Sequence, residues 1–147
     1  MGTVRYDREP LPWLILHRII GIVIFLIVVV VLNALAGTTE IAPVRTIAVF
    51  LTDNFWLIIL FSLIFLVADV FAALPFPVNI PAPFLNAAGA VLLVEFLVRI
   101  FLLVDKITGL ALFGIFAWFA PFLKALVFVV VLAAGLAEII WPGRVRE

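Results

Sequence analysis

Apolar residues fill four long stretches of the chain, and shorter segments rich in proline, threonine and charged side chains separate them. The stretches cover residues 13–37, 50–74, 84–104 and about 119–141. A helix needs about 20 apolar residues to cross the ~30 Å hydrocarbon layer of a bilayer, and all four stretches meet this requirement. The pattern therefore predicts an all-α, polytopic membrane protein with four transmembrane helices in a single domain.

The composition supports a lipid environment. Hydrophobic residues make up 68% of the 147 residues, against roughly 45–50% in soluble domains. A chain with so much apolar surface is expected to have the lipid bilayer as its main solvent. The formal net charge is zero, which gives no support for nucleic-acid binding. Cysteine is absent, so neither a disulfide nor a thiolate ligand is available.

The N-terminal region resembles a secretory signal in part. Arg5, Arg8 and Arg18 precede an apolar run at 19–32, which leads into Ala-Leu-Ala at 34–36. Asp7 and Glu9 are unusual in such a leader. We interpret this run as an uncleaved first span, with a cleaved signal peptide as the alternative.

Basic residues flank the hydrophobic region at both ends. They are Arg5, Arg8, Arg18, Arg144 and Arg146. The segments 38–46 and 105–109 carry one basic residue each, and 75–83 carries none. Because Lys and Arg favour the cytoplasmic side, we expect a protein of the cell membrane with both termini cytoplasmic. An even number of spans agrees with this orientation.

Residues 107–141 are too long for a simple span. As one helix they would reach about 52 Å, and Gly109, Gly114 and Pro121 interrupt the pattern. Because proline is tolerated best at a helix start, we expect a short helix at 110–120 before the last span. Three interpretations stay open: an interfacial helix, a re-entrant half-helix as in pores and transporters, or part of one long kinked helix.

The segment at 75–83 contains four prolines. Proline-rich backbone is stiff, so we expect a rigid tether between the second and third spans. A polyproline ligand for a partner protein is the alternative.

Ionisable residues inside the predicted spans fall in two layers when depth is counted at 1.5 Å per residue. Arg18, Asp69 and Glu138 lie toward the cytoplasmic side, with His17 nearby. Arg18 and Asp69 are at matched depth on consecutive antiparallel spans. We therefore expect them to form an ion pair.

The second layer contains Glu95, near the middle of the third span, with Arg99 and Lys124. A charge near the bilayer centre costs at least about 2.5–3.5 kcal/mol and usually faces a partner. Glu95 precedes Arg99 by four residues, which is the favourable order on a helix. Lys124 is expected to approach the same carboxylate from the fourth span. Asn33 is expected to donate a hydrogen bond across a helix interface.

Small and bulky residues are segregated along the last three spans. Alanine and glycine concentrate in the cytoplasmic halves, around 68–73, 87–90 and 133–137, and phenylalanine and tryptophan in the outer halves. Small side chains permit close helix packing. The pattern predicts an outward-facing, Phe-lined hollow around Glu95, Arg99 and Lys124. The alternative is that the bulky residues face lipid or fill the same space.

The chain lacks the residues of common enzyme sites. Ser62 is the only serine and His17 the only histidine, and they are far apart along the chain. The carboxylates are spread over separate helices, whereas metal sites need clustered ligands. There is no glycine-rich phosphate loop. We therefore expect neither an enzyme nor a bound cofactor or metal.

Two functions fit these observations. The first is a non-enzymatic structural or accessory subunit of a membrane assembly, formed with copies of itself or with other membrane subunits. The alternative is an oligomeric ion or proton channel, or a small transporter, that uses Glu95, Arg99 and Asp69. The candidate site residues are Glu95, Arg99, Lys124, Asp69 and Arg18. A fully paired Glu95 favours the first function, and a water-accessible path past Glu95 favours the second.

Overall fold

A computed structural model describes residues 11–141. Within this range every element of regular secondary structure is an α-helix. The helices are α1 Leu11–Thr38, α2 Ala42–Asp53, α3 Phe55–Ala72, α4 Pro81–Thr108 and α5 Gly114–Ile140. Four of them, α1, α3, α4 and α5, are long and apolar enough to cross a membrane. The predicted all-helical class with four membrane-spanning candidates is confirmed.

Helix α4 is the centre of the bundle. It packs against α5, α3 and α2, whereas α1 packs against α2 and α3 only. Helices α4 and α5 are antiparallel, because the start of α4 lies against the end of α5. We call the end with the α3–α4 connection, residues 73–80, the proline end. The opposite end carries the connections 39–41 and 109–113.

Helix α4 is longer than the predicted span at 84–104. It begins at Pro81. Proline suits the first helical position, because the N–H that it lacks would have no intrahelical partner there. Its last residue is Thr108, and Gly109 caps it. The φ of Gly109 is +70°, a left-handed conformation that favours glycine. The Gly109 N–H donates to the Asp105 carbonyl at 2.8 Å.

Small residues bring the helices close together near the proline end. Ala87 of α4 is fully buried. A Cβ added to Gly89 would lie 2.8 Å from Cε1 of Phe65, and one added to Gly135 would lie 2.9 Å from Cβ of Pro83. Both distances are too short for real carbon contacts. The small residues of α4 and α5 therefore permit the close packing that the sequence predicts.

The expectation of a separate helix at 110–120 is not supported. Helix α5 runs from Gly114 through Pro121 to Ile140 without interruption, which is the single long helix of the third interpretation. Ala120 packs against α4 in a cluster with Val94 and Val98. Packing of this kind stabilises the helix around Pro121, and spanning helices tolerate proline when neighbours compensate.

The predicted second span at 50–74 is also corrected, because the structure divides it. Helix α2 begins at Ala42, inside the predicted loop at 38–46, and α3 follows after a break at Asn54. The Asn54 side-chain Nδ2 donates to the Phe50 carbonyl at 2.8 Å. Asparagine often competes in this way with the backbone bonding of a helix.

Candidate functional site

A polar network joins three parts of the bundle at mid-height. Arg99 Nε donates to Glu95 Oε1 at 2.8 Å, and Lys124 Nζ donates to Glu95 Oε2. Arg99 also donates from a terminal nitrogen to Asn54 Oδ1 at 2.8 Å. The network therefore links the α2–α3 junction, α4 and α5.

Helix geometry explains how Glu95 reaches both cations. Glu95 lies at the middle of α4, and Arg99 is one turn further along the same face. Lys124 lies in the first half of the antiparallel α5 and approaches from the neighbouring helix. The carboxylate has two cationic partners, so the three side chains together carry one uncompensated positive charge. Their exposed fractions are 27% for Glu95, 45% for Arg99 and 30% for Lys124.

Asn54 belongs to this network but was not predicted from the sequence. It is only 5% exposed, and its amide donates to the Phe50 carbonyl while its oxygen accepts from Arg99. Buried polar groups are stable only when they are hydrogen-bonded in this way. The available signal was a lone asparagine inside the apolar stretch at 50–74.

Near the proline end, the structure brings Arg18 and Asp69 together. Arg18 Nε donates to Asp69 Oδ2 at 2.9 Å, which joins α1 to α3. The Arg18 guanidinium also lies 5.4 Å from the centroid of the Phe65 ring, within the range of a cation–π contact. Within residues 11–141, Asp69 and Glu95 share no partner, so the five predicted site residues form two separate sites.

Two further polar residues of the predicted cytoplasmic layer do not join the Arg18–Asp69 pair. Glu138 is exposed and forms no ion pair within residues 11–141. His17 Nδ1 lies 3.1 Å from the Trp13 carbonyl, and its ring contacts the Trp13 ring edge-on.

The predicted cross-helix hydrogen bond of Asn33 is confirmed. Asn33 Nδ2 donates to Thr52 Oγ1 at 3.2 Å and to the Val29 carbonyl at 2.9 Å. The first of these bonds joins α1 to α2. Thr52 is two residues before Asn54, so polar contacts hold the α2–α3 junction on two sides.

An open cavity of about 680 Å³ lies between α2 and the C-terminal half of α4. We call it the α2–α4 cavity. Its lining includes Arg45, Phe50, Asp53, Arg99, Leu102 and Lys106.

This cavity differs from the predicted Phe-lined hollow. Arg99 lines it, but Glu95 and Lys124 do not. Between α3 and α4, the aromatic side chains pack on one another instead, with the Phe96 ring centroid 5.9 Å from that of Phe61. The alternative that bulky residues fill the space therefore describes this region better.

The described residues offer little for metal binding. Within residues 11–141, no group of three or more His, Cys, Asp or Glu side chains is placed to hold a metal ion.

No protein-family model matches this chain, and neither a curated protein nor a solved structure matches it.

Proposed function

We propose that this chain is a non-enzymatic structural or accessory protein of a membrane assembly. The observation that carries the proposal is the pairing of Glu95, because both of its carboxylate oxygens accept from cations. A carboxylate held between two fixed cations is a poor acceptor for a transported proton or cation. It serves instead to hold α4 against α5.

The polar contacts between helices support the same role. Arg18 with Asp69, Asn33 with Thr52, and Arg99 with Asn54 each join a different pair of elements. Polar pairs between apolar helices specify which helix lies beside which, since an unpaired polar group in lipid is costly. A bundle specified in this way is a suitable scaffold for binding other membrane subunits.

The outer surface supports assembly with lipid and with protein. Large apolar side chains are exposed on every spanning helix. Trp56 and Trp118 are each 78% exposed and Phe122 is 70% exposed. We propose that lipid covers most of this surface and that copies of the chain or other subunits cover part of it.

An ion or proton channel, or a small transporter, is the second candidate. One observation favours it: the Arg99 side chain is 45% exposed and lines the open α2–α4 cavity. In this case Glu95, Arg99 and Asp69 would line a path for ions or protons through the bundle.

Purification in a mild detergent from cells that naturally make the protein tests the first proposal. We expect a fixed stoichiometry, either of several copies or of this chain with another membrane subunit, measured by native mass spectrometry. A monomer at every protein concentration, with no partner in constant ratio, would contradict it.

Liposomes that contain the purified protein separate the two candidates. We expect no flux of protons or alkali cations above that of protein-free liposomes, measured with pH- and potential-sensitive dyes. Flux that Glu95→Gln abolishes and Glu138→Gln preserves would replace the leading proposal with the channel. Glu138 is a suitable control because it is exposed and forms no ion pair within residues 11–141.

A further inference from the structure

The α2–α4 cavity carries an excess of positive charge. Arg45, Arg99 and Lys106 line it, and Asp53 is the one acidic residue in its lining. Within residues 11–141, neither Arg45 nor Lys106 forms an ion pair. The cavity therefore presents basic side chains that have no carboxylate partner in the described part of the chain.

Neighbouring carboxylates balance this excess over the wider region, but they do not line the cavity. Glu95 is shared between Arg99 and Lys124, which leaves one positive charge in that group. Asp105 accepts hydrogen bonds from the backbone N–H groups of the 109–113 connection. Glu40 lines a separate cavity beside this one. Counting Glu40, Asp105 and all lining and network groups, four cations face four carboxylates, whereas in the cavity lining itself three cations face Asp53 alone.

Apolar groups separate two basic residues at one end of the cavity from the charged residues at mid-height. Arg45 is in the first turn of α2 and Lys106 in the last turn of α4, so both lie at the opposite end of the bundle. Val49, Phe50 and Leu102 form apolar walls closer to mid-height. Asp53 and Arg99 lie deeper, so the cavity has a basic rim, apolar walls and a polar inner end.

We propose that the α2–α4 cavity binds an anionic phospholipid, with the phosphate headgroup at the basic rim and an acyl chain along the apolar walls. Guanidinium and ammonium groups form strong, charge-assisted hydrogen bonds with phosphate oxygens. At the rim, Arg45 and Lys106 form no ion pair within residues 11–141, so both are available for such bonds. The bound phosphate complements the basic lining of the cavity.

The shape of the cavity favours a lipid over a free phosphate ion. A volume of about 680 Å³ is far larger than one phosphate requires. Val49 and Leu102 are 52% and 40% exposed, and an acyl chain covers such surface whereas a hydrated ion does not. The inference depends on this cavity alone and holds whether the protein is a scaffold or a channel.

Lipid titration of the purified full-length protein in a neutral detergent tests the proposal, with native mass spectrometry as the readout. We expect dioleoyl phosphatidylglycerol to bind at least tenfold more tightly than dioleoyl phosphatidylcholine. Arg45→Gln and Lys106→Gln should each weaken phosphatidylglycerol binding roughly fivefold, and the double variant roughly 30-fold. Binding of phosphatidylcholine should not change.

Two control variants distinguish a loss of charge at the cavity from a general effect of substitution on lipid binding. The charge-preserving pair Arg45→Lys and Lys106→Arg should bind phosphatidylglycerol within about twofold of the natural chain, as expected for a mainly electrostatic contact. Arg18→Gln removes a cation near the proline end and should leave binding at the cavity unchanged. Circular dichroism verifies that each variant is folded. If the double variant does not fold, either folded single variant is enough to test the proposal.

Three results would overturn the proposal. The first is equal affinity for phosphatidylglycerol and phosphatidylcholine, and the second is unchanged binding in a folded Arg45→Gln or Lys106→Gln variant. The third is binding of inorganic phosphate or glycerol 3-phosphate as tight as that of the long-chain lipid, which would show an ion site in place of a lipid site.

Discussion

Glu95 is a single carboxylate shared by cations from two helices. Its partnership with Arg99 was predictable, because a spacing of four residues places both on one helix face. The contact with Lys124 was expected because Lys124 belongs to the same outer layer of charges, on the next span. The role of Asn54 did not follow, since nothing local to Asn54 shows that an arginine 45 residues later lies beside it.

Replacing Glu95 by glutamine should destabilise the bundle. The change leaves Arg99 and Lys124 facing each other without the intervening negative charge. We expect the free energy of unfolding to fall by about 1–3 kcal/mol, toward the lower end because all three side chains are partly exposed. Thermal unfolding in detergent, followed by circular dichroism, measures the loss.

Glu138→Gln is the matched control for this substitution. Glu138 is exposed on α5, so its change should alter the free energy of unfolding by less than about 0.5 kcal/mol. Equal effects of the two substitutions would show that the Glu95 network contributes nothing to stability.

At the scale of elements, hydrophobicity located the helices but did not locate their breaks. The apolar pattern at 50–74 predicts one span, yet the helix is interrupted at Asn54. There the asparagine side chain competes for backbone hydrogen bonds. Residues 107–141 read as two helices, yet α5 continues through Pro121. The two errors have different causes. At Asn54 a local side-chain bond to the Phe50 carbonyl accompanies the break, whereas the packing of Ala120 against α4 stabilises the helix around Pro121.

Gly135→Ala tests the close contact between α5 and α4. The added Cβ would lie 2.9 Å from Cβ of Pro83, a rigid ring that is buried in the first turn of α4. The helices must separate to relieve this contact, so we expect the free energy of unfolding to fall by about 1–3 kcal/mol. Thermal unfolding in detergent measures this change.

Gly21→Ala, the same substitution on α1, should raise the free energy of unfolding. Nothing lies within 4 Å of a Cβ added at Gly21 of α1. Because alanine favours helix more than glycine, we expect a gain of about 0.5–1 kcal/mol. If Gly135→Ala also raised the stability, the close packing of α4 against α5 would be contradicted.

For the whole molecule, the four spanning candidates and their antiparallel order determine which connections share a side of the membrane. The connections 39–41 and 109–113 lie at one end and 73–80 at the other. The distribution of basic residues predicts that the proline end is cytoplasmic.

Single cysteines test this topology, because the natural chain has none. We expect Glu40→Cys and Leu110→Cys to react with a membrane-impermeant maleimide in intact cells. Val78→Cys should react only after permeabilisation. All three residues are exposed, so burial does not limit their labelling.

The two ways in which this experiment can fail have different meanings. The reversed labelling pattern would contradict only the predicted orientation of the chain. Labelling of Glu40→Cys and Val78→Cys from the same side would contradict the number of crossings.

The sequence alone determined the class of the protein, the approximate positions of four spans and the pairing of charges at matched depth. These properties follow from hydrophobicity and from the constant rise of a helix, both of which depend on local order along the chain. Only the tertiary structure decided the break at Asn54, the continuity of α5 and the cavity between α2 and α4. The cavity and the packing around Pro121 depend on contacts between residues that are distant in sequence, and Asn54 combines a local bond to Phe50 with a distant one to Arg99. A helical pattern does not contain the information on the distant contacts.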